Sequence, residues 1–147
     1  MTSEEIQDRF AIKDVVDTFS NLADEKRVAD QMPLFTEDAQ MTTYIGGEVF
    51  ADVRGRDAIE KVFSDYLANF HTVYHLNGQL SLTFTGKNSA EGITYCFVQL
   101  LSGEKGKIMQ LSHSVRYNDT YQKIGGKWLI AKRVAHFIVS ENRPLIA

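Results

Sequence analysis

The chain has 147 residues, of which 44% are hydrophobic and 24% charged, and its formal net charge is −3 at pH 7. This composition fits one globular domain over residues 1–147, and its slight acidity supplies no basic surface for nucleic acid. No apolar run approaches the ~18 residues of a membrane helix, and the N-terminus lacks the order of a signal peptide. We therefore expect a soluble cytoplasmic protein.

The first predicted helix opens with a capping-box sequence at residues 2–5. Apolar residues then recur at mixed three- and four-residue steps from Ile6 to Ala23, which indicates an amphipathic helix. Asp24 lies two turns past Val16, so it borders the apolar face at the last turn of this helix. From position alone, its carboxylate is either solvated or turned toward the interior, and both alternatives stay open.

Further elements follow in chain order. A short second helix is predicted from Val28 to Phe35, with an interruption near Pro33, because proline disfavours helix at the residue before it. Residues 40–45 and 48–53 flank two glycines and form a small hairpin. A third helix begins at Gly55, and its apolar positions share one face: Ile59, Val62, Phe63, Tyr66, Leu67 and Phe70.

Only strands are predicted after that helix, namely residues 79–85, residues 90–101 and a long hairpin from Ile108 to Val139 that turns at Gly125-Gly126. The period of two in this hairpin indicates a sheet with one buried face. A two-residue turn would place three pairs opposite one another: His113 with Ile138, Tyr117 with Val134 and Asp119 with Lys132. In that register His113 and His136 share the mostly apolar face.

His75 lies just before the first of these strands. Strict alternation with Leu80, Leu82 and Phe84 would put the imidazole on the polar face of the sheet. One bulge residue between His75 and Leu80 would turn it toward the core instead, and Asn77-Gly78 is a plausible place for a bulge. Alternation by itself does not decide between the two.

Three helices followed by a curved antiparallel sheet predict an α+β architecture, with a cavity between the two layers. The polar candidates for that cavity are Asp24, Tyr44, His75, His113 and Tyr117. Aromatic side chains that we expect to contact a ligand there are Phe19, Phe63, Tyr66 and Phe137. The ligand expected for such a pocket is a small, neutral, cyclic and apolar molecule.

The order of five segments resembles the SnoaL-like family of the nuclear transport factor 2-like superfamily. These segments are LADEKR, LFTEDAQMT, GRDAIE, HTVYHLNG and YNDTYQKIGGKW. The resemblance covers nearly the whole chain and is closest to the scytalone dehydratase and dehydrochlorinase branch. It implies a cone-shaped α+β barrel, an Asp-His pair at Asp24 and His75, dimers or trimers, and no metal or organic cofactor.

Such a pair has a chemical logic of its own. An imidazole that is held through one nitrogen by a carboxylate presents the other nitrogen as a proton acceptor near neutral pH. It could remove a proton beside a carbonyl or a leaving group, while a tyrosine or second histidine stabilises the departing oxygen. His113 and Tyr117 are the candidates for that second role, with Tyr44 behind them.

Three functional classes stay open. The first is a small cofactor-independent lyase or isomerase, the second is a non-catalytic small-molecule-binding domain, and the third is an assembly subunit of the same fold. His71 and His75 have helical metal-ligand spacing, but no third ligand follows at a defined offset, so we predict no metal site. Self-association is expected through apolar side chains on the outer sheet face, namely Phe97, Leu101 and Phe137.

Overall fold

The computed structural model describes residues 1–146. Its helices are α1 (Ser3–Asp24), α2 (Val28–Gln31), which runs into a 3-10 turn at Met32–Leu34, and α3 (Arg56–Leu67). Its strands are β1 (Phe35–Ile45), β2 (Glu48–Arg54), β3 (Thr72–Gly86), β4 (Ser89–Ser102), β5 (Met109–Ile124) and β6 (Lys127–Pro144). None of the helices within residues 1–146 is long and apolar enough to cross a membrane.

The six strands form one sheet in the order β2-β1-β6-β5-β4-β3. The helices pack on one side of this sheet, which confirms the predicted α+β architecture. One detail differs from expectation, because β1 and β6 run parallel and the sheet is therefore mixed rather than wholly antiparallel. It is also open, with β2 and β3 at its edges. Alternation within a strand carries no information about which distant strand becomes its neighbour or in which direction.

Helix α1 begins at its predicted cap, where the Thr2 hydroxyl accepts a hydrogen bond from the Glu5 amide at 3.1 Å. Its apolar stripe, which includes Ile12, Val16 and Phe19, is buried against the sheet. Burial of each such side chain contributes about 1.5–3 kcal/mol to the free energy of unfolding. The position of α1 on the sheet is thus set by its buried face.

Helix α1 ends in a hydrogen-bonded cap formed by Lys26 and Arg27. The Arg27 amide donates to the Leu22 carbonyl at 2.9 Å, and the Lys26 backbone has a positive φ of 57°. This left-handed residue closes the helix in the manner of a Schellman motif. The Lys26 ammonium also donates to the Phe70 carbonyl beyond α3 at 2.6 Å. Asp24, the last residue of α1, is therefore held in place by the helix cap and by the contact of Lys26 with the segment after α3.

A bulge in β3 turns His75 toward the helices. The pairing of β3 with β4 shifts between Asn77 and Leu80, where β3 holds one more residue than its partner strand. Before the bulge, Val73 and His75 face the interior, and after it Leu80 packs on the core. The predicted bulge is confirmed, and its consequence is that the inward parity of the strand changes from odd to even numbers.

Two further bulges lie in β6. Pairing with β5 shifts between Thr120 and Tyr121 and again between Ser114 and Val115. Each shift accommodates an extra residue in β6, so the pairs predicted from a regular hairpin hold only near the turn. His113 pairs with Ser140, Tyr117 with Ala135 and Asp119 with Arg133, in place of the partners Ile138, Val134 and Lys132. The predicted register is wrong by one residue beyond the first bulge and by two beyond the second.

The shifted register buries an ion pair. Arg133 is fully buried, and its guanidinium donates two hydrogen bonds of 2.8 Å to the carboxylate of Asp119. The Tyr121 hydroxyl donates to the same carboxylate at 2.6 Å. The Arg133 guanidinium carbon also lies 3.9 Å from the centre of the Tyr117 ring and 4.5 Å from that of Phe19. This ion pair forms the layer behind two rings that face the cavity.

The outer face of the sheet carries apolar side chains. Leu76 and Phe97 are paired across β3 and β4 and are 58% and 39% exposed. Phe97 thus lies where the parity argument put it, and Leu101 is half-buried at the end of the same strand. Phe137 does not belong to this face, because the bulge opposite Thr120 and Tyr121 turns it toward the helices.

Candidate active site

A cavity lies between the helices and the concave side of the sheet. It encloses about 90 Å³, and most of its wall is apolar. Seven of the predicted site residues line it: Phe19, Phe63, Tyr66, His75, His113, Tyr117 and Phe137. Phe50 on β2 also lines the cavity while 53% exposed, so the mouth lies on that side.

His75 lines the cavity, and Asp24, which does not line it, is in direct contact with His75. Nδ1 of His75 lies 2.7 Å from Oδ1 of Asp24, and the two side chains are only 8% and 28% exposed. A carboxylate accepts hydrogen bonds, so Nδ1 carries the proton in the neutral ring and Nε2 is left as the acceptor. The arrangement therefore holds a proton acceptor at the edge of an apolar pocket.

The same two elements are joined one turn away from this pair. The Ser20 hydroxyl donates to Oδ1 of Asn77 at 3.0 Å, and Nδ2 of Asn77 donates to Asp17 at 3.0 Å. Asn77 and His75 are two residues apart in β3, a distance of roughly 6.6 Å, and their partners Ser20 and Asp24 are four residues apart in α1, roughly 6 Å. The two spacings match, so both hydrogen bonds can form at the same time. The Asn77 contacts therefore fix the height of α1 beside His75.

Tyr66 and His113 form a second polar group in the cavity wall, and Ser140, which does not line the cavity, contacts His113. Nε2 of His113 lies 3.0 Å from the Tyr66 hydroxyl, and its Nδ1 lies 2.7 Å from the Ser140 hydroxyl. Burial lowers the pKa of His113 to about 4 and raises that of Tyr66 to about 12, so both are neutral near pH 7. If Ser140 donates to Nδ1, Nε2–H donates to the Tyr66 oxygen and the tyrosine proton is free to point into the cavity.

Tyr44 and Asp24 were both expected in the cavity wall, and neither is among the residues that line it. Tyr44 is outside the cavity, because Met41, Thr43 and Ile45 are the residues of β1 that line it. The Tyr44 ring stacks on His136, with ring centres 5.3 Å apart and planes 7° apart. His136 was expected on the same face as His113, and the bulge in β6 has moved it to the opposite one.

The alternation of polar and apolar residues did not identify three contributors to the site. Ser140 faces His113 only because β6 contains two extra residues, and a regular hairpin would have put Ile138 there. Gln31 lines the cavity from α2, where the segment is too short to show a period. Arg133 lies behind the wall. The sequence indicated its presence only through its partner Asp119, which is charged and yet shares the inward face of β5 with Val115, Tyr117 and Tyr121.

Other reactive side chains are poorly placed for chemistry. Cys96 is buried, and burial raises the pKa of its thiol to about 12, so it stays protonated and unreactive. Residues 1–146 contain no group of three or more His, Cys, Asp or Glu side chains arranged to hold a metal ion. The polar chemistry facing the cavity thus belongs to the two histidines, their partners and the neighbouring hydroxyl and amide groups.

Comparison with known sequences gives one family match and a few distant relatives. Residues 4–134 match the profile of the SnoaL-like domain. Uncharacterized proteins of Mycobacterium tuberculosis (strain ATCC 25618 / H37Rv) and Mycobacterium bovis are 26% identical over 131 residues, which is 88% of this chain and 85% of theirs.

Several solved structures share the fold. A scytalone dehydratase-like protein from Novosphingobium aromaticivorans DSM 12444 has a TM-score of 0.85 and 20% identity, over 100% of this chain and 95% of that one. A hexachlorocyclohexane dehydrochlorinase, LinA type 2, has a TM-score of 0.80 and 19% identity, over 98% and 93%. ActVI-ORFA from Streptomyces coelicolor has a TM-score of 0.73 and 17% identity, over 88% and 97%. At such identities the likeness concerns the fold alone.

Proposed function

The chain belongs to the SnoaL-like domain family, and from that premise we propose that it is a cofactor-independent lyase or isomerase of the dehydratase type. The observation that carries the proposal is the 2.7 Å contact between His75 and Asp24 at the wall of an apolar cavity. Dehydratases and dehydrochlorinases among the proteins of the same fold support this class of reaction.

His75 acts as the general base in this proposal. Asp24 accepts the Nδ1–H bond, which holds the ring in one orientation and stabilises the imidazolium that forms when Nε2 takes a proton. The low exposure of both side chains strengthens this electrostatic support, because little water screens it. The proton comes from a carbon next to a carbonyl or a leaving group.

The departing oxygen meets the group formed by Tyr66, His113 and Ser140. In a dehydration, the electrons of the broken C–H bond form the double bond, the C–O bond breaks, and the oxygen leaves as water after receiving a proton. The Tyr66 hydroxyl donates that proton, and the adjacent His113 stabilises the phenolate left behind. His75 and Tyr66 then regain their starting states by exchange with solvent. Tyr117 is a second hydroxyl in the same wall.

The expected substrate is a small cyclic and mostly apolar molecule. The cavity of about 90 Å³ corresponds to roughly six to nine water-sized spheres, which suits one or two rings. Phe19 and Phe63 meet edge to face in its wall, with ring centres 5.8 Å apart, and give a ligand ring apolar aromatic contacts.

The test is a screen of hydroxylated and halogenated cyclic compounds in which loss of the proton next to the leaving group is followed by NMR. His75→Ala should keep the fold and lower turnover by ~10²-fold or more. His136→Ala is the matched control, since it removes an imidazole that is stacked on Tyr44 outside the cavity. A chelator should leave turnover unchanged. Equal turnover in wild type and His75→Ala would overturn the proposal and favour a non-catalytic binding domain.

The leaving-group role has its own test. Tyr66→Phe removes the hydroxyl that His113 contacts, and it should lower turnover by ~10²-fold, the usual effect of losing one oxyanion donor. Tyr117→Phe should have the smaller effect, because no second histidine backs that hydroxyl. The reverse order of the two effects would assign the donor role to Tyr117 instead.

A further inference from the structure

Gln31 occupies an unusual position in the cavity wall. It lies at the end of α2, is 1% exposed and lines the cavity. Its Nε2 donates a hydrogen bond of 2.8 Å to the Phe19 carbonyl oxygen in α1. A carbonyl oxygen only accepts hydrogen bonds, so this contact fixes which end of the amide is nitrogen. The amide oxygen Oε1 must therefore be the other end.

That oxygen has no partner. Within residues 1–146, Oε1 of Gln31 is one of four buried side-chain atoms that make no hydrogen bond, the others being Arg9 Nε, Thr94 Oγ1 and Arg133 Nη1. Of these four residues, Gln31 is the one that lines the cavity. Buried acceptors are normally satisfied, and an orphaned one next to a cavity is satisfied most simply by what the cavity holds.

We propose that Gln31 is a specificity-determining residue whose Oε1 accepts a hydrogen bond from a hydroxyl group of the ligand. The inference rests on the proposed function, since it takes the cavity as the substrate site. It narrows the substrate class to cyclic apolar molecules that carry a hydroxyl on the side facing α2. An ether oxygen, a carbonyl or a halogen at that position cannot donate and leaves the acceptor unpaired.

The hydrogen bond to Phe19 also fixes the orientation of the Gln31 amide. Its nitrogen is engaged with Phe19, so the side chain cannot turn its amide to offer a donor without breaking a buried bond. The Tyr66 hydroxyl, by contrast, can present either a donor or an acceptor to the cavity. Gln31 is thus the fixed acceptor of the cavity, and it discriminates among ligands by their donors.

The test uses a probe pair that differs in one donor and needs no turnover. Binding of phenol and fluorobenzene, which are close in size, is measured by titration calorimetry for wild type, Gln31→Met and Gln122→Met. Gln31→Met should lower the ratio of phenol to fluorobenzene affinity by about tenfold, which corresponds to about 1.4 kcal/mol. Gln122→Met makes the same change at an exposed position of β5 and should leave the ratio unchanged.

An affinity ratio that is the same in Gln31→Met and wild type overturns the inference, and so does failure of both probes to bind to wild type. If Gln31→Met does not fold, wild type alone decides the question. Both rings should then shift the NMR signals of the Gln31 side-chain amide through their ring currents, phenol should shift them further because its hydroxyl binds Oε1, and equal shifts count against the inference. If the ratio of phenol to fluorobenzene affinity depends on Gln31 but the protein turns over none of the screened compounds, the proposed lyase activity is wrong and the role of Gln31 in binding stands.

Discussion

Replacement of His113 offers a test in which the size of the effect follows from the structure. The imidazole is 3% exposed, and burial lowers its pKa to about 4 from an ordinary value near 6.5. Between these values the unfolded chain binds a proton at this position and the folded protein does not. The free energy of unfolding therefore falls as the pH is lowered from about 6.5 toward 4, and this penalty is absent above about 6.5.

The two pKa values set the magnitude. At a pH of about 5, the difference in proton binding corresponds to about 2 kcal/mol, and water in the adjoining cavity reduces this to about 1–2 kcal/mol. His113→Gln keeps a hydrogen-bonding side chain between Tyr66 and Ser140 but removes the titration. The loss of stability between about pH 7 and pH 5 should be smaller in this variant by that amount.

Urea unfolding curves at the two pH values measure the effect for wild type, His113→Gln and His71→Gln. The last variant removes an exposed imidazole and serves as the control for a general change in charge. Other groups also titrate in this range, so the comparison between variants is what counts. If wild type and His113→Gln lose the same stability, His113 is not a buried neutral imidazole and the reasoning fails.

Three other perturbations have expected outcomes. Asp119→Ala leaves the guanidinium of Arg133 buried without its partner and should lower the free energy of unfolding by ~3–5 kcal/mol, whereas an unchanged urea midpoint would mean that the pair contributes little. Asn77→Ala loosens α1 beside the His75 contact and should lower kcat severalfold with little change in KM; a raised KM with unchanged kcat would indicate a binding role instead. The exposed Leu76 and Phe97 predict dimers or trimers that form through the outer sheet face. Sedimentation at tens of micromolar protein, roughly where subunit contacts are populated, should show an oligomer for wild type and a monomer for Leu76→Asp. A monomeric wild type contradicts this.

Much of the layer arrangement could be predicted from local pattern. The 3.6-residue period of α1, its cap at Thr2 and its end at Asp24 are local features, and the structure reproduces them. The bulge before Leu80 was one of two alternatives left open by the sequence: Asn77-Gly78 marked a place for it, but only the structure shows that His75 points inward. That bulge brings His75 to the end of α1.

The rest depends on features that alternation does not encode. The bulges in β6 replace Ile138 by Ser140 opposite His113 and turn His136 outward, and no glycine or proline marks either place. Tyr44 is the exception, because simple alternation with Met41, Thr43 and Ile45 in β1 already indicates that it lies outside the cavity. Gln31 sits in a single helical turn, where periodicity has no length over which to show itself.

The central claim is that His75 and Asp24 act as one unit in proton removal, and a double-mutant cycle on kcat tests it most directly. His75→Ala, Asp24→Asn and the double variant are compared with wild type on one substrate, with circular dichroism to verify the fold. We expect each single change to lower kcat by ~10²-fold or more, and the double variant to be no slower than the slower single one. Full turnover in His75→Ala, or effects that multiply in the double variant, would contradict the account.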